Sequence, residues 1–203
     1  MCIHGEVQLL MIPPEYKMNY DRKIFIDGGA RKGESIDCFI KTRADLKGCD
    51  IHFFECNPYY IKTLEQLQKN SDYNVHVHPT ALWNKEGEQN FYIAIDQWGD
   101  LGSSLDPTNK QKLDLEHPII VKTITLSNFL CQFNKNDYII VKLDIEGAEF
   151  EVVTDLLSTN KLSRINELYV EWHDSFYDKD FNDLRNRLYG TKNGITELYY
   201  WIW

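Results

Sequence analysis

Lys23-Ile-Phe-Ile-Asp-Gly-Gly-Ala-Arg-Lys-Gly-Glu-Ser-Ile36 is the stretch whose reading decides the fold. Its apolar run at 24–26 has the pattern of a strand buried on both faces. The chain then turns through Asp27, Gly28, Gly29, Ala30 and Gly33, and Ile36, Phe39 and Ile40 follow at helical spacing. Strand, glycine-rich turn and helix form the first crossover of a nucleotide-binding α/β sheet.

The turn also bears on the ligand. A dinucleotide site asks for Gly-x-Gly-x-x-Gly, whose middle glycine admits a pyrophosphate. Here Ala30 stands at that middle position, and Asp27 closes the strand. A carboxylate aimed into the crevice repels a pyrophosphate and attracts an ammonium or a sulfonium. S-adenosylmethionine (SAM) carries both of those cations and no phosphate. The alternative for Asp27 is a helix cap or a turn-ordering side chain.

A second acid occupies the equivalent place on the next strand. Residues 50–55 end in Glu55, and Asn57-Pro58 supplies an N-cap and a first-turn proline for a helix whose inward stripe is Tyr60, Leu64 and Leu67. Ribose-binding folds place an acid near this point to accept hydrogen bonds from the sugar hydroxyls. A plain strand-end carboxylate in water is the competing reading. Residues 73–77 read as a third strand with His76 and His78 on one face, 88–95 and 119–124 as further strands, and 126–133 as a short helix. Between them, residues 96–118 form a long polar segment of the kind that is functional or mobile. Its Trp98 could stack on a substrate or anchor the segment.

Another strand, 139–141, precedes Asp144, Glu146, Gly147 and Glu149, which lead into a helix with Phe150, Val153 and Leu156 or Leu157 inward. Acids in a first helical turn suit the helix dipole, which is one reading of Glu146 and Glu149. Asp144 differs, because ligands of open α/β sheets lie outside the carboxyl ends of the central strands. Residues 167–173 give a further strand ending in Glu171 and His173; Phe181, Leu184 and Leu188 mark a helix, and 197–203 a closing strand.

The bulk properties narrow the classes. At 203 residues, with 43% hydrophobic and 26% charged residues, the chain suits one soluble α/β domain over 21–203 behind an N-terminal extension over 1–20. A formal charge of −9 argues against nucleic acid as the main partner. No apolar run approaches the roughly 20 residues of a membrane span. Cys2, Cys38, Cys49, Cys56 and Cys131 are odd in number and scattered, as expected of reduced thiols in the cytoplasm.

Asp27-x-Gly29-Ala30-x-x-Gly33, Glu55 followed by Asn57-Pro58, and above all Lys142-x-Asp144-x-Glu146-Gly147-x-Glu149 resemble the FkbM family of SAM-dependent methyltransferases. Ala81-Leu82, Gly102-Ser103-Ser104 and Thr125-Leu126 extend the likeness over residues 22–175. The resemblance implies the class I methyltransferase fold: a Rossmann-like, mostly parallel seven-stranded sheet with helices on both faces and an antiparallel last strand. It implies O-methylation of a hydroxyl on a sugar, a glycan or a similar polyhydroxylated small molecule, in a domain that can belong to a larger glycan-modifying protein. Carried over, Asp27, Gly28, Gly29, Ala30 and Gly33 hold the methionine end of the cofactor. Glu55, with Cys56 and Asn57, serves the ribose, Ala81 and Leu82 lie near the adenine, and Asp144 faces the methyl group. The acceptor must lose a proton to a base, for which His173 and Asp144 are candidates. The rival is Mg2+ or another divalent cation on Asp144 with Glu171. The competing functional classes are an NAD-type oxidoreductase and a non-catalytic binding module.

Overall fold

The computed structural model describes residues 20–95, 101–109, 112–176, 179–190 and 197–200 of the chain. The apolar run at 7–12, Trp98 and the aromatic end at 201–203 lie outside the described residues.

In chain order the strands are β1 (Lys23–Gly28), β2 (Asp50–Phe54), β3 (Asn74–His78), β4 (Ala81–Trp83), β5 (Gly87–Phe91), β6 (Ile119–Thr125), β7 (Tyr138–Leu143), β8 (Glu167–Val170) and β9 (Glu197–Tyr200). The helices are α1 (Ser35–Cys38), α2 (Pro58–Asn70), α3 (Leu126–Phe129), α4 (Glu149–Ser158) and α5 (Phe181–Gly190). Strands run β3-β2-β1-β7-β8-β9 in the main sheet, and each neighbouring pair is parallel. The chain steps outward in one direction from β1 and later returns to add β7 on its other side. That reversal puts the topological switch point between β1 and β7, where such sheets bind ligands.

Both faces of the sheet are covered, which explains the unbroken apolar strands. Ile24, Ile26, Ile139, Val141, Leu168 and Val170 pack on one side against Leu126, Val153, Leu156 and Leu184 of the α3, α4 and α5 layer. Phe25, Ile51, Phe53, Ile140 and Tyr169 face the other way, toward Ile36, Phe39, Ile40 and Leu64. Near the open edge, His76 and His78 stack with His52, and His78 also stacks with Phe54. Burial, with the neighbouring His76, lowers His52 to about 3 and His78 to about 4, so both stay neutral.

Three expectations need correction. The described residues give the main sheet six strands rather than seven, and its last strand, β9, pairs parallel to β8 instead of antiparallel. The helix expected after the glycine turn lasts one turn, Ser35–Cys38, and gives way to 3₁₀ turns at Ile40–Thr42 and Ala44–Leu46. Thr42 Oγ1 donates to the Phe39 carbonyl at 2.7 Å, and Arg43 is extended at φ −114°, so the helical ladder cannot continue. Strands β4, β5 and β6 build a separate sheet in the order β4-β6-β5, which the resemblance did not announce. Just beyond β5, Tyr92 pairs with Ser104 and Ala94 with Leu113 in isolated antiparallel bridges.

Candidate active site

Sheet register sets the site. Gly28 on β1 lies opposite Phe54 of β2 and Leu143 of β7, and Leu143 lies opposite Val170 of β8. One residue further along, Glu55, Gly29, Asp144 and Glu171 therefore stand side by side at the carboxyl edge, each one strand spacing, roughly 4.8 Å, from the next. The backbone continues the ladder there. Gly29 N donates to Phe54 O at 3.0 Å, Asp144 N to Gly28 O at 3.1 Å and Glu171 N to Leu143 O at 2.9 Å. Gly29 is a glycine of necessity: its φ is +76°, and a Cβ would sit 1.8 Å from the Asp144 carbonyl oxygen.

A cavity of about 600 Å³ opens above this row, within the range of small-molecule sites. Among the residues expected at the site, Gly29, Glu55, Cys56, Asn57, Ala81, Leu82, Asp144, Glu171 and His173 line it. Asp27, Gly28, Ala30 and Gly33 do not. Ala30 is buried in the core, and Gly33, at φ +82°, packs against Phe53, Leu64 and Leu67.

Asp27 corrects the sequence reading most. It is 1% exposed and aims at protein groups rather than into the crevice. Its Oδ2 accepts from Ser35 Oγ at 2.6 Å, and its Oδ1 lies 3.0 Å from Lys142 Nζ, an ion pair off hydrogen-bond alignment. Burial lifts the Asp27 carboxyl above its ordinary value, while Lys142 and Ser35 pull it back down. Lys142 is equally buried, reaches Asp144 Oδ2 at 3.4 Å and donates to the Gly29 carbonyl at 3.1 Å. Burial alone would discharge this ammonium, but the two carboxylates outweigh it and raise its pKa.

Glu55 is held differently. Oε2 accepts from the Arg31 amide at 2.8 Å and Oε1 from the Asn57 amide at 2.7 Å. Each oxygen keeps a second lone pair available to the cavity. Burial raises the Glu55 carboxyl, opposed by those two amides. Burial also raises the neighbouring Cys56 thiol, which argues against a reactive thiolate there.

At the other end, His173 Nδ1 lies 3.0 Å from Oε1 of fully buried Glu149, while Nε2 lies 3.4 Å from Glu146 and 3.8 Å from Asp144. Burial disfavours a charged ring, but the carboxylates of Glu149, Glu146 and Asp144 prevail and raise it to about 10. Glu149 also accepts from the amides of Ile145 and Gly147 at 2.7 and 2.8 Å. It thereby closes the turn in which Glu146 and Gly147 have φ of +53° and +96°. Burial pushes Glu146 up to about 7, and burial together with Asp144 does the same to Glu171.

The family model described as the methyltransferase FkbM domain matches residues 27–195 of the 203. The chain belongs to the FkbM methyltransferase family. Among solved structures it is similar to methyltransferase FkbM from Methylobacillus flagellatus KT, at 14% identity and a TM-score of 0.41, over 68% of this chain and 30% of that one. The present chain thus spans about 30% of the length of that relative. No curated protein matches it.

Within this FkbM site, sequence reading quoted Lys142 in the family string without giving it a role, and overlooked Arg31 and the second role of Glu149. Lys142 left a readable signal, since a lysine inside a strand buried on both faces must have an anionic partner. Arg31 left none: its amide reaches Glu55 only because it adopts φ +49°. Asp144, Glu146 and His173 bring one ligand atom each to within 4.8 Å of one another, and Glu171 lines the same end. Two cations, Lys142 and the His173 ring, already contact these carboxylates.

Proposed function

We propose that this chain is a SAM-dependent O-methyltransferase acting on a hydroxyl of a sugar, a glycan or a similar polyhydroxylated small molecule. The observation that carries the reading is Glu55. Two backbone amides fix both of its oxygens at the tip of β2, with lone pairs left over to accept from a vicinal diol, in the same cavity as Asp144 and Glu171. Gly29, with Asp144, would hold the amino-acid end of the cofactor, and Ala81 and Leu82 would pack on the adenine. When bound, SAM supplies a methyl group already activated as a sulfonium.

The protein then has to orient the acceptor oxygen and accept its proton. Glu171 suits that step best. It lines the cavity, and its pKa of about 7 suits proton transfer near neutrality. His173, raised to about 10, is protonated at neutral pH and serves as a cation that holds Asp144 and Glu146 in place. A pyrophosphate-bearing dinucleotide would meet Glu55, Asp144, Glu146 and Glu171 in one cavity, which counts against the oxidoreductase reading.

Methyl transfer to a panel of sugars, followed by mass spectrometry, tests the proposal. Turnover should rise with pH through about 7 as Glu171 ionises, fall by about 10²-fold in Glu171→Gln, and persist in EDTA. Loss of activity in EDTA with restoration by Mg2+ would favour the metal-assisted route instead. No methylated product, together with full SAM binding, would favour a non-catalytic module.

A further inference from the structure

We propose that Lys142 is the positioning residue of the cofactor site, acting through Asp144 and the Gly29 carbonyl without touching the ligand. This rests on the reading of the cavity as a SAM site.

Lys142 is 1% exposed and does not line the cavity, yet its ammonium meets both sides of the switch point. On the β1 side lie Asp27 Oδ1 at 3.0 Å and the carbonyls of Gly29 and Gly28 at 3.1 and 3.5 Å. Just past the end of its own strand, β7, lies Asp144 Oδ2 at 3.4 Å. Gly29 and Asp144 are cavity-lining residues, so one buried charge fixes both polar groups that the methionine end would meet. An ammonium carried out of water is costly unless paired, and this one has two carboxylates and two carbonyls within 3.5 Å. The same charge offsets the repulsion between Asp27 on β1 and Asp144 just past the end of β7. A long apolar side chain at 142 would fill the space and leave Asp144 free to swing toward its other cation, His173 Nε2, at 3.8 Å.

A double-mutant cycle read by calorimetry with S-adenosylhomocysteine tests this, using wild type, Lys142→Met, Asp144→Asn and the double variant. Lys142→Met should weaken binding at least tenfold. The double variant should bind no more weakly than the weaker single variant, because Lys142 acts through Asp144. Losses that multiply, or unchanged affinity in Lys142→Met, would overturn the proposal. If Lys142→Met does not fold, Lys142→Arg takes its place in the cycle. Its bulkier cation should displace Asp144 and weaken binding several-fold, again without multiplying; wild-type affinity would overturn the assignment. Failure of the wild type to bind S-adenosylhomocysteine would sink the SAM reading itself, a different outcome from independent effects at Lys142 and Asp144.

Discussion

Three acids, far apart in sequence, have three different fates around the site. Asp27 is spent on Lys142 and Ser35, Glu149 on two amides and an imidazole, and Glu55 keeps capacity for a ligand. The difference lies in what the backbone offers at each position. Glu55 sits where β2 ends and two amides point at it; Asp27 sits one residue inside its strand, where its polar partners are the side chains of Ser35 and of Lys142 on β7. His173 carries a consequence for stability. Its folded pKa, about 10, lies above its ordinary 6.5. The stabilisation from its ionic contacts is therefore complete below pH 6.5 and is lost as pH climbs through about 10. Thermal melts should show the wild type losing stability relative to His173→Gln between pH 7 and 10. Parallel curves over that window would mean the ring is not held as a cation in the folded state.

Among the elements, the crossing of the β1 turn with the end of β7 tolerates least. Gly29→Ala would drive a Cβ into the Asp144 carbonyl, whereas Gly48, at φ +77°, has nothing within 4 Å of an added Cβ. Gly48→Ala should cost about 1–2 kcal/mol, the ordinary penalty of the left-handed region. Gly29→Ala should cost more than about 3 kcal/mol, beyond the range of a single strained residue, and should abolish cofactor binding. Urea denaturation of the two variants measures the contrast, and equal costs would refute the close approach. The sequence made much of this level legible. The unbroken apolar runs at 24–26 and 139–141 could only be doubly covered strands, and both have fully buried residues. Tyr60 and Leu64 do face inward from α2, and Phe181, Leu184 and Leu188 do from α5. Periodicity failed where tertiary contacts decided. Ile36, Phe39 and Ile40 all reach the core at helical spacing, but through one helical turn and a 3₁₀ turn. The sheet β4-β6-β5 escaped notice because β4 pairs with a strand some forty positions away in the chain, and such pairing leaves no local signature. The partners of Lys142 went unread for a related reason, since they come from β1 and from the turn beyond it.

At the scale of the molecule, function follows from register. Because β2, β1, β7 and β8 are parallel and end level, the residue after each strand enters the same hollow. Three of those four positions carry carboxylates, Glu55, Asp144 and Glu171, and the exception is the glycine that lets β7 approach. Such a row favours a cationic ligand with a free diol over an anionic one. The described residues include no helix long and apolar enough to cross a membrane. The measurement that tests the account most directly is calorimetry of the purified chain with S-adenosylhomocysteine and with NAD, repeated on Glu55→Ala. S-adenosylhomocysteine should bind and NAD should not, and Glu55→Ala should weaken S-adenosylhomocysteine by about 1.5–3 kcal/mol, the range for hydrogen bonds to a charged group. Binding of NAD in its place, or an affinity for S-adenosylhomocysteine indifferent to Glu55, would contradict the account.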